Sequence, residues 1–164
     1  MTNKILSADQ LALVSKEYRE QDHKKLVLTN GCFDLVHVGH IRYLQAARAL
    51  GDALAVAING DVSVRALKGE GRPLNGETDR AEVIAALECV DHVVIFPEVR
   101  ATGLLEKVRP VIYVKGGDYT PETLNAEERA VLARIGAEIR ILPFEAGHST
   151  SELIVRMKKL CPDA

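Results

Sequence analysis

Five short apolar runs punctuate the chain, at 26–28, 53–58, 92–96, 111–114 and 138–142, and the stretches between them carry apolar residues at helical spacing. Runs this short, rich in Val and Ile and bounded by Gly, Pro or Asp, read as strands. Strands of about five residues alternating with helices of about ten to fifteen predict a parallel sheet covered on both faces. Right-handed crossovers then make the chain an α/β, Rossmann-like doubly wound sheet of about five strands in a single domain. Residues 1–24 are expected to form an N-terminal helical extension packed on a domain that occupies 25–160. The extension opens at Ser7, with Gln10 three positions on in the pattern of a capping box. Further helices are expected over the stretches containing Ile41 to Leu50, Val62 to Leu67, Glu77 to Leu87, 101–108 and 129–135, and after Ser149, with 120–128 expected to be loop or irregular helix and helical pattern lost from Met157.

Composition narrows the function. A net charge of −2, four Tyr, three Phe and no Trp give neither a field nor a stacking platform for nucleic acid, so any anion site must be local. No apolar run approaches the ~18 residues of a membrane span, and no signal peptide is legible at the start, so a cytoplasmic protein is expected. Cys32, Cys89 and Cys161 are far apart, which offers no zinc ribbon or disulfide framework.

The first strand leads into Asn30-Gly31, a turn signal, and then into a helix starting near Gly39. A strand, a Gly-punctuated turn and a helix start direct unsatisfied N–H groups and the positive end of the helix dipole out from the C-terminal edge of the sheet, where phosphate is received. His37 and His40, at i, i+3, lie at that mouth. Neither G-x-G-x-x-G nor a Walker A loop is present, which excludes the usual dehydrogenase and P-loop readings. Asp34, His37 and His40 have a spacing that could suit zinc, but no further ligand cluster joins them, and no metal site is assigned.

Loops after the first, second, fourth and fifth strands are expected to converge on that edge. They carry Thr29, His37 and His40, then Asn59, Asp61 and Lys68 with Arg72, then Lys115, Gly116 and Asp118, then Ser149, Thr150 and Ser151. Imidazoles, ammonium groups and helix N-termini together suit a triphosphate whose charge grows on a departing pyrophosphate. Each has a plainer reading: a solvated basic loop for Lys68 and Arg72, a helix cap for Ser149 and for Asp61, and an ion-pair partner for Arg80.

Thr29-Asn-Gly-Cys-Phe-Asp34 followed by His37-Val-Gly-His40 resembles the signature of the HxGH nucleotidyltransferase superfamily, which joins nucleoside triphosphates to phosphorylated small molecules. Within it the likeness is greatest to the heptose 1-phosphate adenylyltransferases, which make ADP-heptose for lipopolysaccharide cores. The resemblance implies transfer of AMP from ATP, with Mg2+, to D-glycero-β-D-manno-heptose 1-phosphate. His37, His40 and Lys68 would be catalytic. Thr29, Asn30, Gly31, Cys32, Phe33 and Asp34 would lie against the nucleotide with Lys115, Gly116, Asp118 and Ser149 to Ser151. Asn59, Asp61, Lys68, Arg72 and Arg80 would face the acceptor, Arg80 through phosphate. A separate kinase is expected to supply the sugar phosphate, and a homodimer is a further expectation. The alternatives are a cytidylyltransferase acting on glycerol phosphate or a similar alcohol, and a nucleotide-binding module without turnover. Phe144 and Glu145 stand where glycerol-phosphate and choline-phosphate cytidylyltransferases carry Arg-Thr, which weighs against CTP.

Overall fold

The computed structural model describes residues 4–20, 23–117, 120, 122–143 and 150–160. Helix α1 (Ala8–Glu20) precedes β1 (Leu26–Gly31), α2 (Val38–Arg48), β2 (Ala53–Asn59), α3 (Asp61–Lys68) and α4 (Glu77–Ala85). Then follow β3 (His92–Phe96), α5 (Thr102–Val108), β4 (Ile112–Gly116), α6 (Ala126–Ile135), β5 (Glu138–Leu142) and α7 (Thr150–Leu160). All pairings are parallel and the strand order is β3-β2-β1-β4-β5. The direction of winding therefore reverses between β1 and β4, and the C-terminal ends of those neighbours part to leave a crevice.

Both faces of the sheet are buried, which is why its central strands lack polar alternation. Leu26, Leu28, Ala55, Ala57 and Tyr113 point into a core closed by α1, α5 and α6, through residues such as Leu11, Leu105 and Leu132. Val27, Leu54, Val56, Ile58 and Val114 point into a second core, closed by Leu44 and Ala47 of α2 and Ile84 of α4. The Ser7–Gln10 capping box forms reciprocally, at 2.8 and 3.2 Å. The segment before it lies along β3, with Leu6 N–H donating to Val93 O and Val93 N–H to Lys4 O, both at 2.8 Å. At the opposite edge, β5 carries Glu138 and Arg140, paired at 2.6 Å, and this charged edge discourages intermolecular strand pairing.

Several boundaries differ from the sequence reading. Asn30 and Gly31 continue β1, because their ladder with Ala57 and Ile58 of β2 outweighs their turn preference. Lys115 and Gly116 end β4 inside the sheet, in register with Ile141 and Leu142. Helix α6 starts three residues before Arg129: Asn125 Oδ1 accepts the N–H groups of Glu127 (3.0 Å) and Glu128 (3.3 Å), a cap hidden within a polar stretch. Helix α7 runs on to Leu160, beyond the loss of pattern at Met157.

Packing is tight where α2 returns to the sheet. A Cβ added at Gly51 would stand 2.6 Å from Lys25 O and 2.7 Å from Val27 Cγ2, and backbone cannot yield as a side chain can. Gly51→Ala is expected to destabilise the protein by about 1–3 kcal/mol, read as a lowered urea midpoint at unchanged slope.

Candidate active site

A cavity of about 420 Å3 opens at the C-terminal edge of the sheet, over the β1/β4 crevice. Its floor is the end of β1 and the following turn, from Asn30 to Asp34. Phe33 adopts φ 46, in the left-handed region, and its ring folds back over Gly31, where a Cβ would sit 3.0 Å from it. That ring also meets His40, with centroids 5.4 Å apart. A strained non-glycine residue here fixes the floor in one shape.

Helix α2 brings His40 and Tyr43 to the cavity, one turn apart. The Tyr43 hydroxyl bonds Thr29 Oγ1 (2.7 Å) and donates to Val114 O (3.2 Å), and burial raises its pKa. Its ring lies so close to β4 that a Cβ on Gly116 would come within 2.9 Å. Thr29, expected at the nucleotide, is instead wholly buried beneath Tyr43. Sequence reading missed Tyr43; its i, i+3 relation to His40 was the available signal.

His40 Nδ1 accepts the N–H of His37, the N-cap of α2, at 3.3 Å. A neutral ring accepting at Nδ1 carries its proton on Nε2. Burial, with the neighbouring His37 ring as a second cause, pushes the His40 pKa down to about 4. At neutral pH His40 is thus an uncharged donor bordering the cavity. His37 does not line it; its ring sits 3.9 Å from that of His40.

Cations arrive from several elements. Lys68 ends α3 and Lys115 lies near the end of β4, and both border the cavity. Burial lowers the Lys115 pKa, Glu128 opposes that shift and Arg100 adds to it. Thr150, at the start of α7, also borders the cavity and donates to Leu35 O at 3.2 Å, tying the last helix to the turn after β1. The other expected residues of that region, Asp118 and Ser149, lie outside the described residues, as does the Ser151 side chain.

Two expected ligand contacts are structural ties. Arg80 is 1% exposed, and its guanidinium donates to Asn75 O (3.0 Å), Cys32 O, Asn59 O (2.7 Å) and Asp61 Oδ1 (2.8 Å). It therefore joins the turns after β1 and β2 to the start of α4, and Asp61 balances its charge away from the cavity wall. Asp34 does similar work: Arg72 Nε donates to it at 2.7 Å, and Leu74 and Asn75 N–H donate at 2.8–2.9 Å. Burial acts against ionisation, but these donors hold the Asp34 carboxyl below its usual range. Arg72 borders the cavity already paired. Asn59, 2% exposed, borders it too, with its amide donating to Glu98 O at 3.3 Å. Cys32 lines the wall, and burial raises its thiol pKa, the opposite of nucleophilic activation.

The loop after β3 also joins the site, bringing Val99 and Arg100, as does the start of α6 with Leu124, Asn125 and Glu128. Neither was expected. Nothing local in Arg100 separates it from a solvated arginine, and Glu128 was hidden by the misplaced start of α6. Among the described residues no three His, Cys, Asp or Glu side chains gather to hold a metal, and no helix is long and apolar enough to cross a membrane.

The family model described as Cytidylyltransferase-like matches residues 28–156. A protein named "Bifunctional protein HldE" from Geotalea uraniireducens is 48% identical over 155 residues, covering 94% of this chain and 31% of the relative. Its namesake from Helicobacter pylori is 45% identical over 160 residues, covering 98% and 32%. The chain thus spans about a third of the length of these curated relatives. Among solved structures, the lipopolysaccharide core biosynthesis protein from Thermoplasma volcanium superposes with TM-score 0.62 at 28% identity, covering 74% of this chain and 97% of that one. A pantoate-beta-alanine ligase from Francisella tularensis, at 14% identity, TM-score 0.56 and coverage of 90% and 68%, shares the fold.

Arg80→Lys keeps a charge but cannot span four acceptors. It is expected to cost roughly 3–5 kcal/mol in denaturant unfolding, whereas a purely ligand-binding arginine would leave stability unchanged. For His40, imidazole NMR is expected to show the Nε2–H tautomer, staying neutral until pH falls to about 4. Between the unfolded value near ~6.5 and about 4 the unfolded chain binds more protons, so this histidine's contribution to stability is complete above that window and declines as pH falls through it.

Proposed function

Because the chain belongs to the cytidylyltransferase-like family, we propose that it is a nucleotidyltransferase that moves AMP from ATP to D-glycero-β-D-manno-heptose 1-phosphate, yielding ADP-heptose and pyrophosphate. The observation that carries this reading is the convergence of His40, Lys68, Lys115 and Thr150 on one cavity at the topological switch point. The choice of heptose is supported by the sequence signature and by likeness to the HldE proteins and the lipopolysaccharide core biosynthesis protein.

The acceptor phosphate, with a second pKa near ~6, is largely dianionic at neutral pH and needs no general base. One of its oxygens attacks the α-phosphorus in line, a new P–O bond forms, and the bond to the β-phosphate bridging oxygen breaks, releasing pyrophosphate. His40 would donate Nε2–H to the phosphates without the repulsion that an imidazolium brings to neighbouring cations. Lys68 and Lys115 would offset the charge accumulating on the leaving group, and the N-termini of α2 and α7 would add oriented N–H dipoles. His37 would act through its contact with His40. Arg72 would reach phosphate only by leaving Asp34.

Mg2+ is proposed to enter with ATP, its ligands mainly phosphate oxygens and water; Asp34, the acidic side chain of the turn after β1, is occupied by the 72–75 loop. Bound there, the ion would supply charge neutralisation on the triphosphate. A cytoplasmic setting, a separate kinase supplying the sugar phosphate, and a homodimer complete the proposal.

Pyrophosphate release with ATP or CTP, across a panel of sugar and polyol phosphates, tests it. ATP with heptose 1-phosphate is expected to be the productive pair, and His40→Ala is expected to lower kcat by ~100-fold or more while the protein stays folded, as read by circular dichroism. Preference for CTP with glycerol phosphate would replace adenylyl by cytidylyl transfer, and tight nucleotide binding without release would make the domain a binding module.

A further inference from the structure

His40 and Glu128 reach the cavity from helices on opposite faces of the sheet, α2 from one and α6 from the other. His40 offers the cavity a hydrogen-bond donor, whereas the Glu128 carboxylate offers acceptors only. Glu128 is 4% exposed and borders the cavity. Its Oε1 accepts the N–H of Ala101 at 3.1 Å; among the described residues its carboxylate makes no other hydrogen bond and no close ion pair, though it lies near enough to Lys115 to act on its charge. A carboxylate has roughly four acceptor sites, and since neither Glu128 oxygen is among the buried atoms without a partner, the oxygen that Ala101 leaves unused is open to the cavity. Something that enters the cavity is therefore the fitting partner.

Charge selects that partner. Lys115, close to both Glu128 and Arg100, already supplies positive charge there, so a further cation is not called for, and a carboxylate that only accepts offers a phosphate no donor. Neutral hydrogen-bond donors remain, and a carboxylate matches a pair of adjacent hydroxyl groups in both spacing and polarity. We propose that Glu128 is the hydroxyl-reading carboxylate of the site and binds the vicinal hydroxyls of a sugar, either the nucleotide's ribose or the acceptor. This rests on the transferase reading only for the presence of a sugar in the cavity.

Glu128→Gln removes the charge while keeping the shape and an acceptor for Ala101 N–H. The experiment is calorimetric titration of wild-type protein and E128Q with ATP, 2′-deoxy-ATP, 3′-deoxy-ATP, heptose 1-phosphate and methyl phosphate. Losing a charge-assisted hydrogen bond is expected to weaken one sugar ligand by about 10–100-fold. If that ligand is ATP and the penalty vanishes with a deoxy analogue, Glu128 reads ribose. If it is heptose 1-phosphate, with ATP unaffected and methyl phosphate spared, Glu128 reads the acceptor.

Affinities all within twofold of wild type, or equal penalties for ATP and both deoxy analogues, would overturn the proposal and leave Glu128 as a tie between α6 and α5. The Glu128 carboxyl 13C shift in wild-type protein gives a second readout that needs no substitution: it is expected to move with the cognate sugar ligand and not with its deoxy or hydroxyl-free counterpart. An unmoved shift would also overturn the proposal. None of these titrations requires turnover, so a wild-type protein that binds ATP and heptose 1-phosphate but releases no pyrophosphate would remove the transferase reading and leave the Glu128 result standing.

Discussion

The Arg80 guanidinium holds the site together from beneath. Buried to 1% exposure, it must find acceptors for its donors, and it finds them on three separate loops: Cys32 O after β1, Asn59 O and Asp61 after β2, and Asn75 O before α4. A planar fork with five donors can reach these four acceptors at once, whereas a compact ammonium group with three donors cannot. Burying this charge is tolerable because Asp61 balances it and the carbonyls replace lost water. Since the turn after β1 forms the cavity floor, its shape depends on a side chain that does not border the cavity.

Asp34 extends that framework upward. Anchored in the floor, it takes hydrogen bonds from Arg72, Leu74 and Asn75, so the loop after α3 is fixed to the turn after β1. Lys68 lies at the base of that loop and borders the same cavity. Arg72 is thus held by a balanced contact at the cavity border, and an arrangement fixed in this way before an anion arrives is preorganised to receive it. His40 fits the scheme as an uncharged donor, fixed by the His37 N–H on one nitrogen and open to a ligand on the other.

Hydrogen bonds, more than local propensity, decided where the sequence reading and the structure part. Asn30-Gly31 has the composition of a turn, yet pairing with β2 keeps it in the sheet. The polar stretch before Arg129 conceals a helix start capped by Asn125, and with it the position of Glu128. Arg80 and Thr29 carry the residue types of ligand contacts but are occupied by protein partners. The Ser7–Gln10 cap, by contrast, depends on neighbours in sequence and was legible directly.

The sequence alone determined the alternation of strands and helices, the doubly wound class, the phosphate-oriented turn with His40, and the candidacy of Lys68, Lys115 and Thr150. These follow from periodicity, caps and motif spacing, all of which act over a few residues. Only the tertiary structure decided that Arg80 braces the site, that His37 contacts His40 without lining the cavity, and that Arg100 and Glu128 join the wall. Those outcomes depend on burial and on acceptors brought from tens of residues away, and the strength of a buried charge or hydrogen bond is set by what the folded chain places around it.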